Sequence, residues 1–225
     1  IRLLELARSP FMTTLGDIVE IERGVQPYSR SKHSDAQIDS DFLRITRPPQ
    51  LGETFLPELR GEELGRYTLV PRNSTWLEYS DRLASKRELR FFTGRRVVLR
   101  RLLTRRRELQ AASIEETYIT TDNILNLLPT NKAYDANFIT ALLNSHLISW
   151  LYTNSSAISV KDDFPQVTYE ELKSISVPVI FFTEDKHQQS ETITALARYW
   201  ASNDFDKLLS YLDTLDIRVS NEVLH

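Results

Sequence analysis

The sequence predicts a mixed α/β (α+β) fold, in which a twisted, mostly antiparallel or mixed sheet carries packed helices and a helical segment follows at the C-terminus. Two observations support this fold class. Short β-branched and apolar runs, of which Val97–Leu99 is the clearest, follow turn residues such as Gly94 and are typical of strands. A longer stretch, residues 136–152, keeps its apolar side chains at helical spacing.

The elements before the strand at Val97–Leu99, which we call the central strand, alternate with turns and loops. Helical spacing over residues 1–8 ends before Pro10, and Ile18–Ile21 predicts a first strand that ends at Gly24. The polar residues 26–41 predict one loop, long enough to be functional or disordered. The further predictions here are strands at 41–47 and 76–79, a turn-rich segment at 58–67 and a short helix at 81–89.

The elements after the central strand end in helices. Asp135 is placed to cap the helix at 136–152, and we expect Phe138, Leu142 and Ile148 to face the sheet. The remaining predictions are strands at 110–113, 118–121 and 124–129, a short helix after the capping residue Thr168, an extended segment at 176–182, and helices at 183–201 and 204–213.

The domain organisation follows from these elements. The chain begins at Ile1 within a helical pattern, so we expect it to be a fragment of a longer protein. Its 225 residues, 41% of them hydrophobic and 26% charged, are enough to bury a core. We expect a linker helix from a missing upstream domain at 1–13, a main domain at 14–182 and a helical segment at 183–225.

The charge is distributed unevenly along the chain. Residues 86–107 contain ten basic side chains and one acid, a net charge of +9, whereas the whole chain carries −3. Arginine pairs bracket the central strand, and three more arginines follow at Arg105–Arg107. This pattern favours a face that binds a polyanion on an acidic body. The alternative is a solvated rim of arginines that pair with acids elsewhere in the chain.

A resemblance to a known family narrows the function. Six segments occur in a fixed order: Leu15–Val25, Leu59–Tyr67, Trp76–Arg87, Phe92–Arg100, Ala141–Ser145 and Phe164–Pro178. Together they resemble the TaqI-like specificity domain, the target-recognition domain of adenine-specific DNA methyltransferases and type IIG restriction–modification enzymes. Recognition domains of type I specificity subunits are similar. The resemblance covers residues 14–180 and implies a non-catalytic domain that reads a short sequence of double-stranded DNA.

The resemblance also implies the partners. A separate upstream methyltransferase domain of the same protein would bind S-adenosylmethionine, and no cofactor is expected in this chain. The segment Arg47–Gln50 has two prolines but neither the amide or acid nor the aromatic residue of an amino-methyltransferase motif. The chain has no P-loop, no cysteine and no apolar run of the roughly 20 residues that cross a membrane. We expect a cytoplasmic protein.

The expected DNA-binding residues lie in two groups. Arginines can hold phosphates or read guanine, and the sequence does not distinguish these roles. Because Arg100 and Arg101 are neighbours on a strand, we expect one to face DNA and the other to pair with an acid. The loop at 26–33 offers side chains that suit groove edges and phosphates. The full set is Gln26, Tyr28, Arg30, Lys32, His33, Arg72, Arg95, Arg100, Arg101, Arg105, Arg106 and Arg107.

Two other functions remain open at this point. The acidic remainder of the chain and its amphipathic C-terminal helices are compatible with a protein-interaction module that docks on a catalytic partner. Two acid–lysine clusters, Lys161–Asp163 and Glu171–Lys173, are weak signals for a metal-dependent nuclease, since no strand holds them together. The four histidines are too scattered for a zinc site, and we expect His146 to be half-buried in its helix.

Overall fold

The computed structural model describes residues 12–155 and 166–178, of which Thr14–Ser176 belong to one compact unit. The helices predicted at 1–8, 183–201 and 204–213 lie outside the described residues. The strands are β1 Met12–Thr14, β2 Val19–Arg23, β3 Arg44–Ile45, β4 Phe55–Leu59, β5 Trp76–Glu78, β6 Arg96–Arg100, β7 Ala111–Ile114, β8 Ile119–Thr120, β9 Ile124–Pro129 and β10 Ser176–Pro178. The α-helices are α1 Leu15–Ile18, α2 Asp35–Asp39, α3 Ala136–Leu143, α4 His146–Ser155 and α5 Tyr169–Lys173, with 3-10 turns at Gly61–Glu63 and Leu89–Phe92.

The fold is mixed α and β, as the sequence predicts. Its main sheet has the strand order β2-β9-β6-β7 and is antiparallel throughout. The central strand β6 is buried because Val97, Val98 and Leu99 are each 0% exposed. A second sheet, β3-β5-β4-β8, is mixed, since β4 pairs antiparallel with β5 and parallel with β8. Strands β1 and β10 form a two-stranded sheet.

The long helix predicted at 136–152 is in fact two helices, α3 and α4. Of the three residues expected to face the sheet, Ile148 is buried as expected, whereas Phe138 and Leu142 are only half-buried. The apolar residues of α3 that are buried are Ala136, Ile139 and Leu143. The break occurs at Asn144, whose side chain bonds in both directions to the backbone of Ala111 in β7, at 2.9 and 2.8 Å. This long-range pairing with an edge strand ends the helix.

Two further local predictions are wrong. The segment 81–89 is not an α-helix, because Lys32 and His33 take the backbone carbonyls of Asp81, Arg82 and Leu83 that a helix would need for its own ladder. The stretch 26–41 is not a continuous loop, because Ser34 caps helix α2 at Asp35–Asp39. Strand β4 was not predicted, since its central residue Pro57 is unusual in a strand.

Candidate nucleic-acid interface

One end of the main sheet collects arginines from several parts of the chain. Arg23 at the end of β2 lies opposite Leu125, and Arg100 at the end of β6 lies opposite Ile124 of the same strand β9. The loop Thr104–Glu108, which joins β6 to β7, extends from this end as well. We name this end of the main sheet, together with the loop, the arginine end. Its arginines are Arg23, Arg100, Arg101, Arg105, Arg106 and Arg107.

The loop Thr104–Glu108 presents three consecutive arginines to solvent. The Thr104 amide donates to the Glu108 carbonyl at 3.0 Å, and the Arg107 amide donates to the Thr104 carbonyl at 2.8 Å. Arg107 has a φ of 59°, so it occupies the left-handed position that glycine normally takes in a three-residue hairpin loop. All three side chains are exposed, and within the described part of the chain Arg105 and Arg106 make no ion pair.

Glu108 anchors this loop and faces away from its arginines. One carboxylate oxygen lies 3.1 Å from Arg66 Nη1 and 3.1 Å from His146 Nδ1, and the other accepts a 3.4 Å bond from the Thr104 hydroxyl. The side chain of Glu108 is only 12% exposed. The acid that directly follows the three arginines therefore holds the base of the loop and leaves Arg105 and Arg106 without a carboxylate. His146 is exposed, not half-buried as expected.

Arg100 and Arg101 were expected to divide their roles, one facing DNA and the other pairing with an acid. Arg101 follows β6, and its guanidinium donates to the carbonyls of Asp122 and Val167 and to the amide oxygen of Gln166. Burial lowers the pKa of Arg101, and the nearby charge of Arg23 lowers it further. Among the described residues no acid pairs with Arg100 or Arg101, and Arg101 bonds instead to carbonyl and amide oxygens.

Arg72 lies on a segment that is tied to the same neighbourhood. The buried carboxylate of Glu63 accepts the backbone amides of Arg60 and Arg72, both at 2.7 Å. Gly61, in the same 3-10 turn as Glu63, lies close to Arg100. A methyl group in place of its hydrogen would be 3.6 Å from Arg100 Nε. The Glu63 carboxylate thus fixes the backbone of two arginines beside Arg100, and the Arg72 side chain is exposed.

Arg95 lies at the opposite end of the sheet. It directly precedes β6, whose first residue pairs with Ile114 of β7. The length of the strand therefore separates Arg95 from the arginine end by about 15 Å. Its guanidinium is 3.7 Å from Glu115 and 3.6 Å from Asp135. We name this region the acid-paired end. The sequence placed Arg95 with the other arginines because the two ends of a short strand are adjacent in the chain.

Arg96 has a structural role that the sequence analysis missed. It is 0% exposed, and its guanidinium donates to the carbonyls of Gly94 and Glu116 at 2.9 Å and of Tyr118 at 3.3 Å. Burial lowers its pKa to about 10. The available signal was strand alternation, which puts Arg96 on the same face as the buried Val98.

The loop at 26–33 is mostly braced against the protein. The Tyr28 hydroxyl accepts the Leu43 amide at 2.8 Å, and burial raises the pKa of Tyr28 to about 12. Lys32 Nζ donates to the carbonyls of Asp81 and Leu83 at 2.5 and 2.6 Å. Three of the five side chains expected to contact DNA from this loop, Tyr28, Lys32 and His33, instead hold neighbouring loops together.

Both ring nitrogens of His33 bond to the backbone of neighbouring loops. His33 is 8% exposed, its Nε2 donates to the Arg82 carbonyl at 2.8 Å, and its Nδ1 accepts the Ser29 amide at 3.3 Å. These partners define the Nε2–H tautomer. Of the five expected residues, Gln26, Arg30 and Lys32 are exposed, but Lys32 Nζ is bonded to two carbonyls and Arg30 is 3.6 Å from Asp35.

The described residues contain no group of three or more histidine, aspartate or glutamate side chains that could hold a metal ion. Glu171, one of the acids considered for a nuclease, bonds instead to the hydroxyls of Tyr152 and Thr168. The cluster at Lys161–Asp163 lies outside the described residues. In 12–155 and 166–178 there is also no helix with the length and apolar character to span a membrane.

One protein-family model and one curated protein match part of this chain. The model of the TaqI-like C-terminal specificity domain matches residues 56–178. A Methanocaldococcus jannaschii protein described as a type II restriction enzyme and methyltransferase is 27% identical over 129 residues, which are 56% of this chain and 11% of that protein.

Two solved structures align with most of this chain at low TM-scores and low sequence identity. One comes from a study of complex assembly and conformational transition in a type I R-M system, with a TM-score of 0.47 and 12% identity over 96% of this chain and 48% of the other. The second is the HsdS subunit of Thermoanaerobacter tengcongensis, with a TM-score of 0.45 and 12% identity over 99% of this chain and 46% of that one. The chain therefore spans about a tenth of the curated relative and about half of each solved chain.

Proposed function

This chain belongs to the TaqI-like C-terminal specificity domain family, and from that membership we propose that it recognises a short sequence of double-stranded DNA for a restriction–modification enzyme. The arginine end is the observation that supports this proposal. Arg100, Arg105 and Arg106 make no ion pair within the described residues, while Arg95 at the other end pairs with two acids. Uncompensated arginines on one face suit a phosphate backbone, which they bind by releasing counterions.

The DNA surface that we propose is smaller than the sequence indicated. It comprises the arginine end without Arg101, whose guanidinium bonds within the protein, together with Arg72 and the exposed Gln26, which follows β2 at that end. Arg95 is excluded because it lies at the acid-paired end. Tyr28, Lys32 and His33 are excluded because their polar atoms bond within the protein. Arg30 stays a weaker candidate.

The catalytic partner is also a proposal. We infer that adenine-N6 methylation, and cleavage if the parent protein cuts DNA, belong to a separate domain that binds S-adenosylmethionine. This chain would position that domain on its site, in the cytoplasm, and would not catalyse a reaction itself. Transfer of labelled methyl groups to DNA by the 225-residue chain alone would contradict this assignment.

The test compares two pairs of exposed arginines. We would measure duplex binding by fluorescence anisotropy over a range of salt for the wild type, for Arg105→Ala with Arg106→Ala, and for Arg47→Ala with Arg82→Ala. The control pair is matched because Arg47 and Arg82 are also exposed but pair with Glu53 and Glu78. The first double variant should flatten the slope of log affinity against log salt by about two units, or one for each lost phosphate contact.

The outcome also separates the proposed function from the alternative. A wild-type slope near zero would mean that the chain does not bind duplex DNA electrostatically and would favour the protein-interaction module. An equal loss of slope in both double variants would mean that the arginine end is not the DNA surface.

A further inference from the structure

Tyr67 lies in a tight turn whose two central residues point in different directions. The turn is closed by the Gly65 amide, which donates to the Thr68 carbonyl at 3.0 Å. Arg66, at 27% side-chain exposure, is directed inward and bonds to Glu108 and to the Asn144 carbonyl. Tyr67 is 57% exposed. The turn thus directs its cation toward the protein and leaves the aromatic ring in solvent.

This turn is attached to the arginine end at two points. The Tyr67 amide donates to the carbonyl of Ala111, the first residue of β7, at 2.9 Å. Arg66 shares the Glu108 carboxylate that anchors the loop Thr104–Glu108. The same bonds that fix the arginine loop therefore fix the position of Tyr67.

The backbone of Tyr67 has a conformation that a bulky side chain rarely adopts. Its φ is 62°, the left-handed region that glycine adopts freely and that a bulky side chain adopts rarely. Within the described residues the ring and hydroxyl of Tyr67 make no hydrogen bond or aromatic contact. Val70, close by in the same segment, is 69% exposed, so a second apolar side chain also faces solvent here. Backbone strain of this kind persists where surrounding bonds hold it, as those to Ala111 and Glu108 do here, and it clusters at functional sites.

We propose that Tyr67 stacks on a base of the target duplex, beside the arginines that hold the phosphates. This inference rests on the proposed DNA-recognition function and deepens it by naming a residue that contacts a base. In a duplex the base faces are covered by their neighbours, so the ring would insert at an opened base step, as apolar side chains do, and stack on the π face that the opening exposes. The arginines supply affinity that depends on salt, whereas Tyr67 supplies a contact that does not.

The experiment uses a duplex selected by the wild-type chain from a random-sequence pool, together with a scrambled duplex of the same composition. Affinity, salt slope and thermal unfolding would be measured for Tyr67→Phe, Tyr67→Ala and Tyr67→Gly. Leu51→Ala is the control, because Leu51 is a fully exposed apolar side chain on a different loop.

Tyr67→Ala and Tyr67→Gly should bind the selected duplex about 5- to 150-fold more weakly, the range for loss of one base–aromatic stack. Their salt slope should be unchanged, since no phosphate contact is lost. Tyr67→Phe should bind like the wild type, as should Leu51→Ala. Tyr67→Gly should unfold at a higher temperature than Tyr67→Ala, because glycine accepts the positive φ.

Each contrary result has a separate meaning. If the wild type selects a sequence and Tyr67→Ala binds it equally well, the stacking role is wrong while DNA recognition stands. If Tyr67→Phe loses as much affinity as Tyr67→Ala, the hydroxyl makes the contact and stacking is again excluded. If the wild type selects no sequence and shows no salt dependence, the proposed function is wrong and the role of Tyr67 is overturned with it.

Discussion

Arg96 and Arg100 begin and end the same five-residue strand, yet they do opposite things. Arg96 is fully buried and its guanidinium bonds to three backbone carbonyls. Arg100 is half-buried and makes no side-chain hydrogen bond within the described residues. The difference shows that a run of basic residues in the sequence is not yet a basic surface.

The two ends of the sheet extend this difference to their neighbours. At the acid-paired end, Arg90 lies 2.5 Å from Glu20, and Arg95 lies near Glu115 and Asp135. At the arginine end, the nearest acid in sequence, Glu108, is turned inward. The strand therefore divides the basic segment into arginines that stabilise the fold and arginines that remain available for a ligand.

Replacing Arg96 should give the largest effect on stability. Arg96→Ala removes three hydrogen bonds, leaves buried carbonyls unsatisfied and opens a cavity, so unfolding should cost about 3–5 kcal/mol less. Arg100→Ala should change the free energy of unfolding by no more than about 0.5 kcal/mol. Urea denaturation of both variants measures this contrast, and equal losses would remove the distinction between the two arginines.

The buried hydroxyl of Tyr152 makes the free energy of unfolding depend on pH. Its hydroxyl accepts the Thr168 amide and donates to Glu171, and burial raises its pKa to about 12. The unfolded chain, with a pKa near 10, loses this proton first. The stabilisation is therefore complete below about pH 10 and is lost as the pH rises through about 12, by an amount on the order of 1–2 kcal/mol.

Comparison with Tyr152→Phe isolates this group. The variant cannot ionise at that position, so its stability should fall less steeply than that of the wild type between about pH 10 and about pH 12. Parallel curves of unfolding free energy against pH would show that the hydroxyl of Tyr152 is not held neutral by the fold.

The sequence predicts those parts of the fold that depend on local pattern. Strands β6 to β9 are at the expected places because their apolar runs and turn residues are adjacent in the chain. The helix break at Asn144 and the missing helix at 81–89 depend on partners far away in sequence. Asn144 pairs with Ala111, and Lys32 bonds to carbonyls 49 and 51 residues along the chain.

The candidate site divides in the same way. Arg105 and Arg106 are exposed as expected, because a polar loop between two strands has nowhere else to lie. His33 could not be placed from sequence, since its role depends on the Arg82 carbonyl on another loop. Nor could Arg95 be separated from Arg100, because only the positions of Glu115 and Asp135 distinguish the two ends.

Glu108 tests whether the arginine end depends on its anchor. Glu108→Ala should lower the free energy of unfolding by about 1–2 kcal/mol, because Arg66 and the loop lose a partly buried acceptor. Duplex binding should also weaken, since Arg105 and Arg106 would no longer be held in place. Glu115→Ala is the matched control at the acid-paired end, where the carboxylate is 71% exposed. If both variants behave alike, Glu108 does not position the loop.

The smallest effect is expected at Arg95, where the sequence alone predicts a DNA contact. Its ion pairs, at 3.6 and 3.7 Å, are half exposed, so Arg95→Ala should change the free energy of unfolding by less than about 0.5 kcal/mol. Its salt slope for duplex binding should equal that of the wild type, whereas Arg105→Ala should be shallower by about one unit. Anisotropy titrations of the two single variants decide between them. A slope reduced equally by Arg95→Ala would mean that DNA reaches both ends of the sheet, and the division between bound and available arginines would have to be redrawn.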